Sequence, residues 1–205
     1  MKATLRNAVA TAFALMLALC AVGCASMRDD AAKAEPLAAT PSGVALNRPK
    51  PGLYTAGQPA AGDWRAIADA GVRTVINLRT ASEMAGRDER AEVAAAGMRY
   101  IEIPIDGPGG ITPENAKRLR EALAAARGDA LVHCASANRA GGLLAVALAQ
   151  QGVAAEEALA IGRAGGMKST EARATQIIGE SSQAVCAVEP ASGGGNATAR
   201  CPAAP

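Results

Sequence analysis

A chain of 205 residues has room for one domain and its end segments, and half of its residues are hydrophobic, enough for a core. Only 2% are aromatic, so that core must be built from Ala, Val, Leu and Ile. Without Lys2 and Arg6 at the N-terminus, 19 basic residues face 19 acidic ones, which argues against an electrostatic nucleic-acid binder, and five cysteines with no C-x-x-C pair and a single histidine argue against a metal site.

Met1 to Arg6 carries two positive charges, and Asn7 to Val22 is a nearly unbroken apolar run. This is the pattern of a secretory leader, too short and wrongly flanked for a transmembrane helix. The run ends Ala21-Val22-Gly23-Cys24-Ala25-Ser26, which resembles a bacterial lipoprotein box with Cys24 as the lipidated residue. A periplasmic protein of the cell envelope is expected, touching the membrane only through a lipid on Cys24. Ala25 is not the aspartate that retains lipoproteins at the inner membrane, so the analogy points to the outer one. Residues 1–24 are thus read as a signal peptide, and residues 25–51, rich in Ala, Pro and charge, as a disordered tether.

The folded body is expected over residues 52–180. Leu53 to Pro59 alternates like an edge strand and stops at a Gly/Pro turn. Asp63 is placed to N-cap a short helix whose Trp64, Ile67 and Ala68 share a face, ending at Gly71. Val72 to Arg79 is β-branched and flanked by polar residues, the clearest strand in the chain. A charged, Ala-rich stretch from Ala81 to Ala96 reads as a loop and then a helix stopped by Gly97; Arg99 to Ile105 alternates as a strand, and Asp106 to Gly110 is a Gly-rich loop. Thr112, Pro113 and Glu114 supply an N-cap, an N1 proline and a first-turn acid for a helix to about Ala126. Gly128-Asp129 turns into a further strand. Helices are expected over 140–151, 154–161 and 170–178. From Ser181 the pattern gives way to a low-complexity tail, residues 181–205, in which Cys186 and Cys201 are able to close a loop in an oxidising compartment or to remain two unrelated thiols. Strands alternating with helices imply an α/β fold with a mainly parallel sheet covered on both faces.

One stretch carries chemistry: Ala130-Leu131-Val132-His133-Cys134-Ala135-Ser136-Ala137-Asn138-Arg139. An apolar strand runs to the only histidine, then to a cysteine, a loop of small residues and an arginine at the start of the apolar segment Leu143 to Leu148. Backbone N–H groups in a loop of this kind converge on one point, and the following helix adds partial positive charge there. Arg139 supplies a two-pronged donor for an oxyanion, and the same field favours the thiolate of Cys134. The stretch reads as an oxyanion cradle with a nucleophile at its base.

The cradle resembles the His-Cys-x5-Arg loop of cysteine-dependent protein phosphatases, with four residues rather than five between Cys134 and Arg139. That shorter loop is similar to a bacterial group of dual-specificity-phosphatase-like domains found beside the hydrolase module of beta-lactamase-hydrolase-like proteins; a related domain occurs fused to NAD kinases. Leu53 to Pro59, Gly71 to Arg79, Ile103-Pro104-Ile105-Asp106 and Ile111-Thr112-Pro113-Glu114 resemble the same group in the same order. The resemblance implies a cysteine-phosphatase-like sheet of four or five strands flanked by helices, with no cofactor, acting on a phosphorylated protein or small molecule.

It also implies a mechanism. Cys134 would attack phosphorus, and Arg139 with the N–H groups of Ala135, Ser136, Ala137, Asn138 and Arg139 would hold the equatorial oxygens. His133 would orient the loop and favour the thiolate, and Ser136 could assist thiolate departure; Asp106, on a Gly-rich loop after a strand, is either the acid that protonates the leaving group or a plain turn residue beside Gly107. Arg79 and Glu83 read as a solvated surface pair that could line the mouth. Tyr54 and Trp64 are the only aromatics in the N-terminal part of the domain able to flank a phenyl ring. Two alternatives share the cradle: sulfur transfer through a Cys134 persulfide, as in rhodanese-like domains, and non-catalytic oxyanion binding.

Overall fold

The computed structural model describes residues 38–187, with side chains described to Ser181. Its α/β body holds one five-stranded sheet, in the order β1-β2-β5-β3-β4. The strands are β1 (Leu46–Lys50), β2 (Leu53–Ala56), β3 (Val72–Asn77), β4 (Arg99–Glu102) and β5 (Asp129–His133). All neighbours are parallel except β1, which runs antiparallel to β2. Alternation along β5 divides the core: Ala130 and Val132 face one side, Leu131 the other. Helices α1 (Trp64–Asp69) and α2 (Glu89–Ala95) cover the Leu131 side through Trp64, Ile67 and Val93. The opposite face carries α3 (Pro113–Ala124), α4 (Asn138–Ala149), α5 (Ala155–Ala164) and α6 (Glu171–Ala187).

Helix α3 starts where its sequence dictates. The Thr112 hydroxyl accepts from Asn115 N–H at 3.2 Å, and Pro113 occupies a first-turn position whose N–H would have no helical partner. Helix α4 is buried from Ala140 through Leu148. Its Gly141 and Gly142 exist for close approach: a Cβ on Gly141 would strike the backbone N of Met167 and lie 2.5 Å from Gly162 O.

Three expectations change. The stretch read as a tether, residues 25–51, ends inside the fold: Ala39 bridges to Ala45, and Leu46–Lys50 is an edge strand whose Pro49 is tolerated because only one side needs pairing. Asp63 holds the N-cap position of α1 without capping it. Its buried carboxylate instead accepts from Ala60 N–H (2.8 Å), Ser42 N–H (3.0 Å) and Ser42 Oγ–H (2.6 Å), fastening the segment before β1. Finally, α6 continues past Ser181 to Ala187, because neither glycine nor proline interrupts Glu180 to Glu189. The expected leader, Cys24 with its lipid, and Cys201 lie outside the described residues, so the Cys186–Cys201 pairing does too.

The register brings four loops to one edge. Ala56 and Asn77 both lie opposite His133, and Glu102 opposite Asn77. The segments starting at Gly57, Leu78, Ile103 and Cys134 therefore leave the sheet side by side at the carboxyl ends of parallel strands, where open α/β sheets place their ligands.

Candidate active site

Cys134 continues β5, donating its N–H to Ala56 O at 3.3 Å, and its side chain is buried. The loop then presses on the segment after β2. Gly57 bridges to Ser136, Gln58 N–H reaches Ala135 O at 3.4 Å, and a Cβ on Gly57 would stand 3.2 Å from that oxygen. Ala137 turns the chain into α4 with φ 67°, the only described non-glycine residue in the left-handed region. Such a conformation costs an alanine about 1–2 kcal/mol and is kept where the surroundings dictate it. The N–H groups of Asn138, Arg139 and Ala140 follow as first-turn donors; Gly141 N–H is the first to find a helical carbonyl, Ala137 O at 2.9 Å. An anion at this end would meet free donors and the positive pole of a twelve-residue helix.

The side chain of Asn138 points elsewhere. Its Oδ1 accepts from Lys168 N–H (2.7 Å) and Thr170 N–H (3.2 Å), its Nδ2 donates to Ser169 Oγ (2.7 Å), and the Thr170 hydroxyl donates to Asn138 O (2.8 Å). Asn138 thus contributes backbone to the cradle while its amide staples the loop to the α5–α6 connection.

Arg139 is held from two sides. Nη1 donates to Glu83 Oε2 (2.8 Å) and to Ile105 O (2.6 Å), and Nη2 donates to Glu83 Oε1 (2.6 Å). The guanidinium also lies against Cys134. Hydrogen bonding from Arg139, with help from Thr80 and against the effect of burial, draws the Glu83 carboxyl down to about 2. The reciprocal bond pushes Arg139 above its ordinary value. Glu83 is therefore ionised at neutral pH and fixes the fork beside the thiol. The Arg79–Glu83 pair expected from sequence is present, with Arg79 Nε 3.5 Å from Glu83 Oε1, but it is half-buried rather than solvated and Glu83 shares it with Arg139. Arg79 also donates to Glu83 O (2.8 Å) and to Gln58 Oε1 (2.7 Å).

His133 does not face the cradle. Strand alternation sends it to the opposite side of the sheet from Cys134, fully buried and edge-on to Trp64 with ring centres 6.0 Å apart. Its Nε2 is 3.0 Å from Glu89 Oε1, off the line of a well-formed N–H···O bond. Glu89 also accepts from Gln58 Nε2 and from Tyr100 O–H (3.1 Å), and Asn77 Nδ2 donates to the Tyr100 oxygen (2.7 Å). Burial pushes the Glu89 carboxyl up, but His133, Gln58 and Tyr100 together hold it below the usual carboxylate range. Burial, joined by the Glu89 charge, pushes the Tyr100 hydroxyl well above its ordinary value. A continuous chain, Arg139–Glu83–Arg79–Gln58–Glu89–His133, thus runs beneath the loop.

Asp106, at the turn after β4, shares a cleft of about 370 Å³ with Arg139, Glu83, Ala135, Ser136 and Ser169. Its carboxylate is exposed and makes no hydrogen bond or ion pair among the described residues. The structure therefore gathers Cys134, Arg139, Asp106 and Ser136 at one edge and leaves the His133 side chain behind the sheet. Tyr54 and Trp64 are buried on the α1–α2 side and line no mouth, with Trp64 Nε1 donating to Glu92 at 2.9 Å. Sequence reading missed Glu83 as the Arg139 partner and Glu89 as the His133 partner. Both stand in charged stretches that look solvated.

Residues 49–153 match the family described as the phosphatase-like domain of beta-lactamase hydrolase-like protein. The chain is 34% identical over 92 residues to the beta-lactamase hydrolase-like protein of Agrobacterium fabrum, and 36% identical over 92 residues to that of Xylella fastidiosa. Each alignment covers 43% of this chain and 21% of the relative, so the chain spans about a fifth of the length of the curated relatives it matches. Among solved structures it is similar to kinase associated phosphatase (TM-score 0.56, 13% identity, 70% of this chain and 96% of that one). It is also similar to human DUSP28 (TM-score 0.52, 20% identity, 68% and 97%). These likenesses show the fold, a mostly parallel sheet flanked by helices; the matched family supports a phosphatase. The chain belongs to the family of beta-lactamase-hydrolase-like phosphatase-like domains.

Proposed function

We propose that the protein hydrolyses phosphomonoesters through a phosphocysteine intermediate. The observation that carries the reading is the Arg139 fork, fixed by Glu83 and Ile105 O against Cys134 at the start of α4. A phosphate dianion in the cradle meets that guanidinium and the first-turn N–H groups. These donors are already in place, so they hold the equatorial oxygens as charge redistributes, without the reorganisation that water would need.

The Cys134 thiolate attacks phosphorus in line. As the S–P bond forms, the ester P–O bond breaks, and Asp106 gives its proton to the departing oxygen. Water then attacks the phosphocysteine, Asp106 takes a proton from it, the S–P bond breaks and the thiolate leaves as phosphate is released. The Ser136 hydroxyl, on the exposed crest of the loop, donates to the departing sulfur. His133 acts from behind the sheet, through the backbone it shares with Cys134. The leader sequence supports a place in the cell envelope, with the domain tethered through a lipid on Cys24.

The test is turnover of para-nitrophenyl phosphate under reducing conditions by the wild type, Cys134→Ser and Arg139→Ala, with circular dichroism to check folding. Loss of turnover in both folded variants is expected. Turnover that survives Cys134→Ser overturns the mechanism, and a Cys134 persulfide formed from thiosulfate without ester turnover selects sulfur transfer.

A further inference from the structure

A second cavity, of about 380 Å³, opens on the other side of the loop crest from the cleft that holds Arg139 and Asp106. The two share Ala135 and Ser136, so only the loop crest separates them. The second cavity has no assigned role in phosphoryl transfer, and its lining differs from that of the first. Among the described residues, no aspartate, glutamate or aromatic residue contributes to it. Asn47, Ser136 and the exposed Lys168 are among its lining residues, and none of their side chains has a hydrogen bond or ion pair among the described residues, which leaves an amide, a hydroxyl and an ammonium uncommitted beside the cavity. Gln58, also on the wall, is committed to Glu89 and Arg79.

The cavity is kept open by backbone. Gly166 adopts φ +90°, and a Cβ there would run to 2.6 Å from the Ala137 Cβ and 3.0 Å from Asn47 Nδ2. Lys168 is not on a free loop, because its N–H is bound at 2.7 Å by Asn138 Oδ1, the amide that staples the cradle. The backbone that bears the cation is therefore fixed relative to the phosphate position.

The geometry points to a second subsite that takes an anionic group of the substrate, so that the preferred substrate is a phosphomonoester carrying a second phosphate or a carboxylate. An ammonium, an amide and a hydroxyl with no competing acid among the described residues suit an oxyanion, whereas none of the described residues lining either cavity is an aromatic that could flank a phenol ring. The inference rests on the phosphatase reading for turnover, but not for binding.

Two matched pairs test it: 2-phosphoglycerate against glycerol 2-phosphate, and fructose 1,6-bisphosphate against fructose 6-phosphate. The members of each pair differ in one anionic group. In the wild type kcat/KM is expected to favour the doubly anionic member of at least one pair about 10-fold or more, mainly through KM, and Lys168→Gln and Asn47→Ala are each expected to bring that ratio toward one. The ratio is internal to each variant, so a general loss of activity does not imitate the effect. The same pairs are titrated calorimetrically into Cys134→Ser and Cys134→Ser/Lys168→Gln. Lys168-dependent preference in binding without wild-type turnover keeps the subsite and removes the phosphatase reading. Equal kcat/KM and equal binding within both pairs, or a preference untouched by Lys168→Gln, overturns the inference.

Discussion

Glu83→Gln isolates what holds the arginine fork. The wild-type carboxylate takes both Nη groups of Arg139, and its pKa falls from 4.5 to about 2. A shift of that size corresponds to at most about 3 kcal/mol. The Glu83 side chain is 28% exposed, against 11% for Arg139, so solvent screening reduces the figure to about 1–2 kcal/mol. The folded carboxyl binds its proton more weakly than the unfolded one, so the contribution is fully present above about pH 4.5 and disappears as pH falls toward 2. Urea unfolding of wild type and variant between pH 7 and 3 reads this directly. The stability difference should be flat from pH 7 to about 5 and shrink below that. Turnover of para-nitrophenyl phosphate should fall about 10- to 100-fold, since a fork that has lost its anchor no longer stands ready beside the thiol. A stability difference as large at pH 3 as at pH 7, or none at pH 7, refutes the reasoning.

Ala137→Gly relieves a left-handed alanine and should raise stability by about 1 kcal/mol, about 2–4 °C in Tm; a lowered Tm counts against strain at that position. Gly141→Ala drives a Cβ into the Met167 backbone and should cost about 2–3 kcal/mol, while Gly179→Ala, with open space around its Cβ on an exposed turn of α6, should gain about 0.5–1 kcal/mol. Thermal unfolding of the two side by side checks the contrast, and equal effects remove the close-approach account of α4. Asp106→Asn should lower hydrolysis of alkyl phosphates by about 100- to 1,000-fold and of para-nitrophenyl phosphate far less, because nitrophenolate leaves without a proton. Equal losses on the two ester classes would show that Asp106 is not the acid.

The strand, cysteine, small-residue loop and arginine were legible because they are contiguous: a buried β-strand, a tight turn and a helix start all announce themselves within ten residues. Thr112 and Pro113 were legible for the same reason. Glu83 was not, because its partner lies 56 residues away and only the sheet order brings the two segments together. Glu89 looked like one more charge on an exposed helix, and nothing local reveals that the side chain turns inward to His133. Strand β1 escaped because an edge strand pairs on one side only, so its Arg48-Pro49-Lys50 composition imitates a tether. Tyr54 and Trp64 lie inside the body rather than at the mouth: with so few large side chains, an aromatic gains more from burial than from a cleft.

The Asn138 staple has a consequence for how this domain is bounded. The matched family segment stops at residue 153, yet Lys168, Ser169 and Thr170, which grip Asn138, and Met167, against which Gly141 lies, come after it. The chemistry-bearing loop and the stretch near residue 168 behave mechanically as one part written in two places. A graft or truncation that kept only the matched segment would carry every reacting group and lose the brace that sets their spacing. The mechanical unit of this site is therefore longer than its recognisable signature.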